Sequence, residues 1–147
     1  MKVLFVCSGN TCRSPMAEAL IKKEAARRGM TGHSFQSAGI SVTPGSRASK
    51  YTVETMAARG LDIDHRPARQ VDAQMVVEAD LVLAMTKAQQ RALSGELPHY
   101  TAKIHAIGEF ARMDGDVEDP FYGDAEDYER VAVLLEELVG RVLDRLE

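Results

Sequence analysis

The residue types with the most chemical potential stand together in Cys7-Ser8-Gly9-Asn10-Thr11-Cys12-Arg13-Ser14-Pro15. A cysteine is followed, after five residues, by an arginine and then a hydroxyl residue. Gly9 and Asn10 tolerate backbone angles that other residues avoid, so the segment can curl with its N–H groups inward. A nest of this kind at the positive end of a helix is a phosphate-sized anion site. Pro15 suits the first helical position, where a missing N–H costs nothing. Cys7 would lie on the floor of the cradle, where inward dipoles, the helix terminus and Arg13 favour thiolate over thiol. Arg13 offers a planar fork for two equatorial phosphoryl oxygens. Ser14 can donate to the Cys7 sulfur and ease its departure from a phosphocysteine. One loop thus supplies a nucleophile, a cradle for developing charge and a clamp.

Other phosphate-binding loops do not fit. There is no Gly-Lys-Ser/Thr ending for a nucleotide P-loop and no dinucleotide fingerprint. Phosphoryl transfer from Cys7 still needs an acid for the leaving group. The acid-rich stretch Met113 to Glu126 and its flank offer Asp114, Asp116, Glu118, Asp119, Asp124, Glu126 and Asp127. Such a run is most often a solvated face. Asp119-Pro120-Phe121 stands apart, because Pro120 stiffens the backbone after the acid and Phe121 places an aromatic wall beside it.

The elements that must position these groups follow from hydrophobic spacing. Val3–Val6, Phe35–Ala38, Leu81–Met85 and Lys103–Ile107 read as strands. Helices are expected over about 15–28, 48–59, 73–79 and 87–93, with a long C-terminal helix striped by Val131, Leu134, Leu135, Leu138, Val142 and Leu146. Strands alternating with helices imply an α/β fold with a parallel sheet covered on both faces. The compact solution is a single doubly wound domain spanning 1–147, four strands in the order 2-1-3-4. Its crevice lies beyond strand 1, where the strand order reverses, and so opens on Cys7.

Composition narrows the class further. The 147 residues carry 18 basic and 22 acidic side chains, a net charge of −4 that gives no global reason to bind nucleic acid or an anionic membrane. No apolar run reaches the length of a membrane span, and the opening Val3–Val6 stretch is too short for a signal peptide. Two cysteines cannot staple a domain of this size, so a reducing cytoplasm is the expected setting. His33, His65, His99 and His105 show no metal spacing with each other or with the cysteines. Cys12 has two readings: a thiol that protects Cys7 through a reversible disulfide, which the loop's curl favours, or a small buried apolar residue.

Cys-x-Gly-Asn-x-Cys-Arg-Ser-Pro early in the chain, with Asp-Pro-aromatic late, resembles the low-molecular-weight protein-tyrosine phosphatases. The resemblance extends to Ser37-Ala38-Gly39 and to Asp80–Met85, and so covers essentially the whole chain. It implies Cys7 as nucleophile, Arg13 as clamp, and Asp119 as the acid that later activates water. It implies Asn10 and Ser14 as residues that shape the loop, His65 as a brace behind it, and no metal or organic cofactor. Phosphorylated proteins would be the partners; the oligomeric state stays open.

Cys7 through Glu18 is similar to the bacterial protein-arginine phosphatase branch. Many tyrosine-selective members carry Ile where this chain has Thr11, and a hydroxyl there can hold a polar substrate. Phe121 agrees with that branch, whereas Tyr122 and His65–Gln70 resemble the tyrosine branch. Phosphoarginine is the expected substrate, and phosphotyrosine the alternative. An arsenate reductase of the same fold needs further cysteines, and none follows Cys12. A phosphocysteine carrier of the sugar-transport type would not need Arg13 or Asp119. A non-catalytic phosphoprotein-binding module would normally have lost one of the three.

Overall fold

A computed structural model describes residues 1–63 and 66–147. The strands are β1 (Lys2–Cys7), β2 (Ser34–Gly39), β3 (Leu81–Ala84) and β4 (Ile104–Ala106). The helices are α1 (Arg13–Arg27), α2 (Lys50–Ala57), α3 (Ala73–Glu78), α4 (Lys87–Glu96), α5 (Ile107–Phe110) and α6 (Ala125–Leu146), with a 3₁₀ turn at Pro98–Lys103. The sheet is wholly parallel in the order β2-β1-β3-β4, as the hydrophobic spacing implies.

Strand alternation divides the core into two layers. Val3, Phe5 and Cys7 face α1 and α6, in a cluster with Met16, Leu20, Ile21, Leu135, Leu138 and Val142. Leu4 and Val6 face the other way, packing with Val76, Val82, Leu93 and Ile104. Because β1 is central and covered on both faces, its run is apolar throughout rather than alternating. The stripe on α6 is real but shifted: Tyr128, Val139 and Leu143 join the buried set, while Leu134 and Leu146 are only partly buried.

Several boundaries move, each for a tertiary reason. β1 extends to Cys7 because that residue pairs with Gly39 of β2. α1 begins at Arg13, so Pro15 is its third residue rather than its first. That position is equally free of cost, since the first four helical N–H groups have no intrahelical acceptor. Gly29 ends α1 in a left-handed conformation, φ +70°. The acid-rich loop stops at Asp124, whose side chain caps α6 in a reciprocal box with Asp127. Glu126 and Asp127 are therefore first-turn helix residues, where their charge complements the helix dipole. His65 lies outside the described residues.

Candidate functional site

β1 delivers Cys7 to the crevice, and residues 8–12 curl from there into α1. The loop's carbonyls are held from outside. The Cys7 and Ser8 oxygens accept from the Ile40 and Ser41 N–H groups (both 2.9 Å). The Thr11 oxygen accepts from the Ser49 N–H (3.0 Å) and the Thr52 hydroxyl (2.8 Å). With carbonyls outward, amides are left to the inside, which is the arrangement of an anion nest. Cys12 is the N-cap of α1 and supplies no side-chain cap, and the first turn contains no acidic residue. The helix terminus is therefore open to an external anion.

Only Asn10 takes a left-handed conformation within the loop (φ +56°). Gly9 does not use the freedom expected of it. The glycine that the loop requires is Gly39, on β2: a Cβ there would come within 2.7 Å of the Ser8 carbonyl oxygen and 3.0 Å of the Asn10 nitrogen. Close approach of two backbones, not a turn, fixes that residue.

Cys7 is buried, and its sulfur lies 2.9 Å from the Ser14 hydroxyl and 3.3 Å from the Asn10 N–H that donates to it. Asn10 and Ser14 stand behind the loop rather than in the cleft. The Asn10 amide donates to Ser14 Oγ (2.8 Å) and Ser37 Oγ (3.0 Å), and its oxygen accepts from the Arg69 N–H (2.9 Å). Because Ser14 accepts from Asn10, its own proton is free to point at the sulfur.

Arg13 is buried at 4% exposure, and its Nη1 donates to the Val117 carbonyl (2.9 Å). Val117 is in turn anchored just beyond β3 by its N–H on the oxygen of Met85, the residue after that strand (2.9 Å). Arg13 Nη2 faces Asp119 Oδ2 at 3.5 Å, across the cleft mouth. The other Asp119 oxygen accepts from the Phe121 N–H (3.1 Å), a local turn that orients the carboxyl.

The other acids of the stretch divide by position. Asp116 caps α4 through the Lys87 N–H, and Asp124 and Asp127 cap α6. Among the acids of that stretch, only Asp119 lines the cleft over Cys7.

That cleft holds about 270 Å³. Cys7, Gly9, Cys12 and Arg13 form its floor, and Ser8, Thr11, Ser41, Thr43 and Ser46 line its walls with hydroxyl-bearing residues. Asp119, Phe121 and Tyr122 stand at the mouth. The two rings meet edge to face with centroids 4.9 Å apart, and Tyr122 is 97% exposed.

Both cysteines are free thiols. The Cys12 sulfur is not simply an apolar filler: Tyr128 Oη lies 3.3 Å away and Ser49 Oγ 3.6 Å. Burial, and next the contact with Cys12, raise the Tyr128 hydroxyl well above its ordinary titration range. It therefore stays protonated beside the sulfur.

Supporting residues that the sequence did not single out for a role complete the site. The Gln89 amide donates to Ser8 Oγ (2.9 Å) while closing the capping box of α4. Ser37, Arg66 and Glu18 lie behind Asn10. Glu18 is 5% exposed. Burial acts to raise its carboxyl, but hydrogen bonds from Arg66 and Lys22 outweigh this and hold it below the usual carboxylate range. No spacing rule connects these residues to Cys7; only the folded chain does. Among the described residues, no group of three or more His, Cys, Asp and Glu is placed to hold a metal ion.

A doubly wound domain with a cysteine–arginine anion loop after β1 and an aspartate across its mouth defines a cysteine-dependent phosphatase. The family model for low molecular weight phosphotyrosine protein phosphatases matches residues 2–147. The chain belongs to that family.

It is 35% identical over 148 residues to a protein-arginine-phosphatase of Bacillus subtilis, covering all of this chain and 97% of the relative. A solved low-molecular-weight protein tyrosine phosphatase from T. tengcongensis is 38% identical, with a TM-score of 0.94 and 99% of each chain covered. The YwlE arginine phosphatase, solved as a cysteine-to-serine mutant with a phosphorylated active-site serine, is 35% identical with a TM-score of 0.94. That alignment covers 99% of this chain and 95% of the other. Among the described residues, no helix is long and apolar enough to cross a membrane.

Proposed function

We propose that the chain hydrolyses phosphoarginine in proteins through a phosphocysteine intermediate, with Cys7, Arg13 and Asp119 as its catalytic residues. Relatives of nearly equal identity bear arginine- and tyrosine-phosphatase names, so the choice rests on the site. One observation carries it: hydroxyl-bearing Ser8, Thr11, Ser41, Thr43 and Ser46 line the cleft above Cys7. A guanidino group entering the cleft keeps N–H donors that need acceptors, and an unpaired one costs about 1–3 kcal/mol. A phenyl ring would gain little from hydroxyls.

Chemistry follows from placement. The Cys7 thiolate attacks phosphorus in line while loop amides and Arg13 hold the equatorial oxygens. The P–N bond breaks as Asp119 delivers its proton to the leaving nitrogen. Water then attacks the phosphorus of the thiophosphate, Asp119 takes its proton, and the S–P bond breaks to return the thiolate and release inorganic phosphate. Ser14 stabilises that departing sulfur. Thr11 and Phe121 face the group attached to phosphorus and set selectivity.

Cys12 serves as a resolving thiol: a peroxide oxidises Cys7 to the sulfenic acid, Cys12 attacks its sulfur, and water leaves as the disulfide forms. Two free thiols in one loop suit the cytoplasm, and phosphorylated proteins are the partners.

The second reading, phosphotyrosine, is favoured by the exposed Phe121–Tyr122 pair at the mouth, on which a phenyl ring can stack. Side-by-side kcat/KM values on phosphoarginine and phosphotyrosine peptides, with Cys7→Ser as the blank, decide between them. A preference of about tenfold for phosphoarginine, equivalent to about 1.4 kcal/mol in transition-state binding, is expected. Thr11→Ile should move the ratio toward phosphotyrosine. An unchanged ratio removes Thr11 from selectivity, and a tyrosine preference in the parent enzyme returns the chain to that branch.

A further inference from the structure

Behind the loop, one nitrogen joins two oxygens that have different duties. Arg66 Nη2 donates both to the buried Glu18 carboxylate and to Ser37 Oγ (3.0 Å), while Arg66 Nη1 takes the second Glu18 oxygen. Ser37 Oγ also accepts from the Asn10 amide. We propose that Arg66, locked by Glu18, is a positioning residue that fixes the direction of the hydrogen bonds running to the Cys7 sulfur. This rests on the phosphatase reading of the same site.

The argument is one of donor and acceptor counting. A guanidinium has donors only, so Ser37 can meet Arg66 and Asn10 only as an acceptor. Both of its lone pairs are then committed. The Arg69 N–H holds the Asn10 oxygen, so both amide protons face Ser14 and Ser37. Ser14 must accept from Asn10, and its own proton has the Cys7 sulfur at 2.9 Å as its closest acceptor, the Ala38 carbonyl lying farther off at 3.4 Å.

Removing Arg66 opens this set at one end. Ser37 and Glu18 contact the same nitrogen, so without it the Ser37 hydroxyl can turn and donate to a carboxylate left with Lys22 alone. Asn10, held in a left-handed backbone, then faces a Ser37 oxygen that is no longer held in place to accept its amide proton. Glu18 stands on the second turn of α1, whose first turn ends the anion loop, so the pair also ties that helix to β2.

The test uses p-nitrophenyl phosphate, whose good leaving group makes it independent of the natural substrate. Steady-state kinetics are measured for Arg66→Met, Arg66→Lys, Ser37→Ala and the Arg66→Met/Ser37→Ala double variant. Thermal melting and the rate of Cys7 alkylation by iodoacetate at pH 6 accompany them.

Arg66→Met should lower kcat by about tenfold with KM changed less than about threefold, and slow alkylation in parallel, the scale of one charge-assisted hydrogen bond. Arg66→Lys should recover most of the loss. In the Ser37→Ala background, Arg66→Met should change kcat by less than about twofold, since the path is already cut. A full tenfold effect in that background, or a change in melting temperature with kcat unmoved, overturns the proposal. Should Arg66→Met fail to fold, Ser37→Ala alone decides: it leaves the ion pair intact, and an unchanged kcat rejects the role. A parent enzyme inactive on the aryl phosphate would defeat the phosphatase reading instead.

Discussion

Asp119 is half exposed at the mouth of the cleft, 3.5 Å from a buried arginine and turned by its own backbone two residues on. The two functions proposed for it, giving a proton to the leaving group and taking one from water, depend differently on the substrate. Asp119→Asn should lower kcat/KM on a phosphoarginine or phosphotyrosine peptide by about 10²–10⁴-fold, the usual worth of a placed general acid. On p-nitrophenyl phosphate, whose leaving group needs little protonation, kcat/KM should fall far less. An equal loss on both substrates would show Asp119 acting through Arg13 rather than as an acid.

That Cys7, Arg13 and Asp119 meet at one cleft was legible because the chemistry proposed for them needs those residue types at those spacings. Ser37, Arg66 and Glu18 acquire a role only through contacts that span 29 or 48 residues of sequence, and no local pattern encodes those.

At the scale of the elements, hydrophobic period located every strand, and the strand order followed from packing both faces of a parallel sheet. Boundaries were less legible, since hydrogen bonds between elements decide them. Cys7 joins β1 only because Gly39 pairs with it. The four-residue α5 is one such case: the Met113 N–H on the Gly108 oxygen closes it, and the Arg145 side chain reaches its Phe110 carbonyl.

Gly39 itself concentrates the coupling between sheet and loop. Gly39→Ala inserts a methyl group 2.7 Å from the Ser8 carbonyl oxygen and from Val42 Cγ2. One of those contacts is backbone, so the loop must move. The variant should lose about 1–3 kcal/mol of stability in urea unfolding, as overpacked sites do, and kcat should fall with it. Retained kcat with lost stability would show that the nest tolerates a shift of its outer wall.

Over the whole molecule, the acidic excess is partly absorbed by ion pairs that staple helices to one another. Glu24 on α1 binds Arg27 and Arg28, and Arg28 reaches Asp144 and Glu147 at the end of α6. The Arg27 hydrogen bond, aided by Arg28, pulls the Glu24 carboxyl down to about 2. Glu18, Asp127 and Glu129 are also held below their ordinary values by arginines or backbone N–H groups, against the opposing effect of burial. A carboxyl whose folded-state value is depressed binds its proton more readily in the unfolded chain, so acid favours unfolding. The stabilising contribution is complete above the unfolded value near 4.5 and is lost as pH falls toward about 2. Melting temperature should therefore be flat with respect to these groups from pH 7 to about 5.5 and fall steeply below about 4.5. Glu24→Gln should lower it at neutral pH, yet weaken its dependence on acid, because the variant has nothing there to protonate. Since Glu24 is well away from the cleft and solvent screens its pairs, the neutral-pH change should be small and kcat unaltered. Parallel melting curves for parent and variant from pH 7 to 3 would show instead that Glu24 carries no part of the acid response, which would then rest on the buried Glu18.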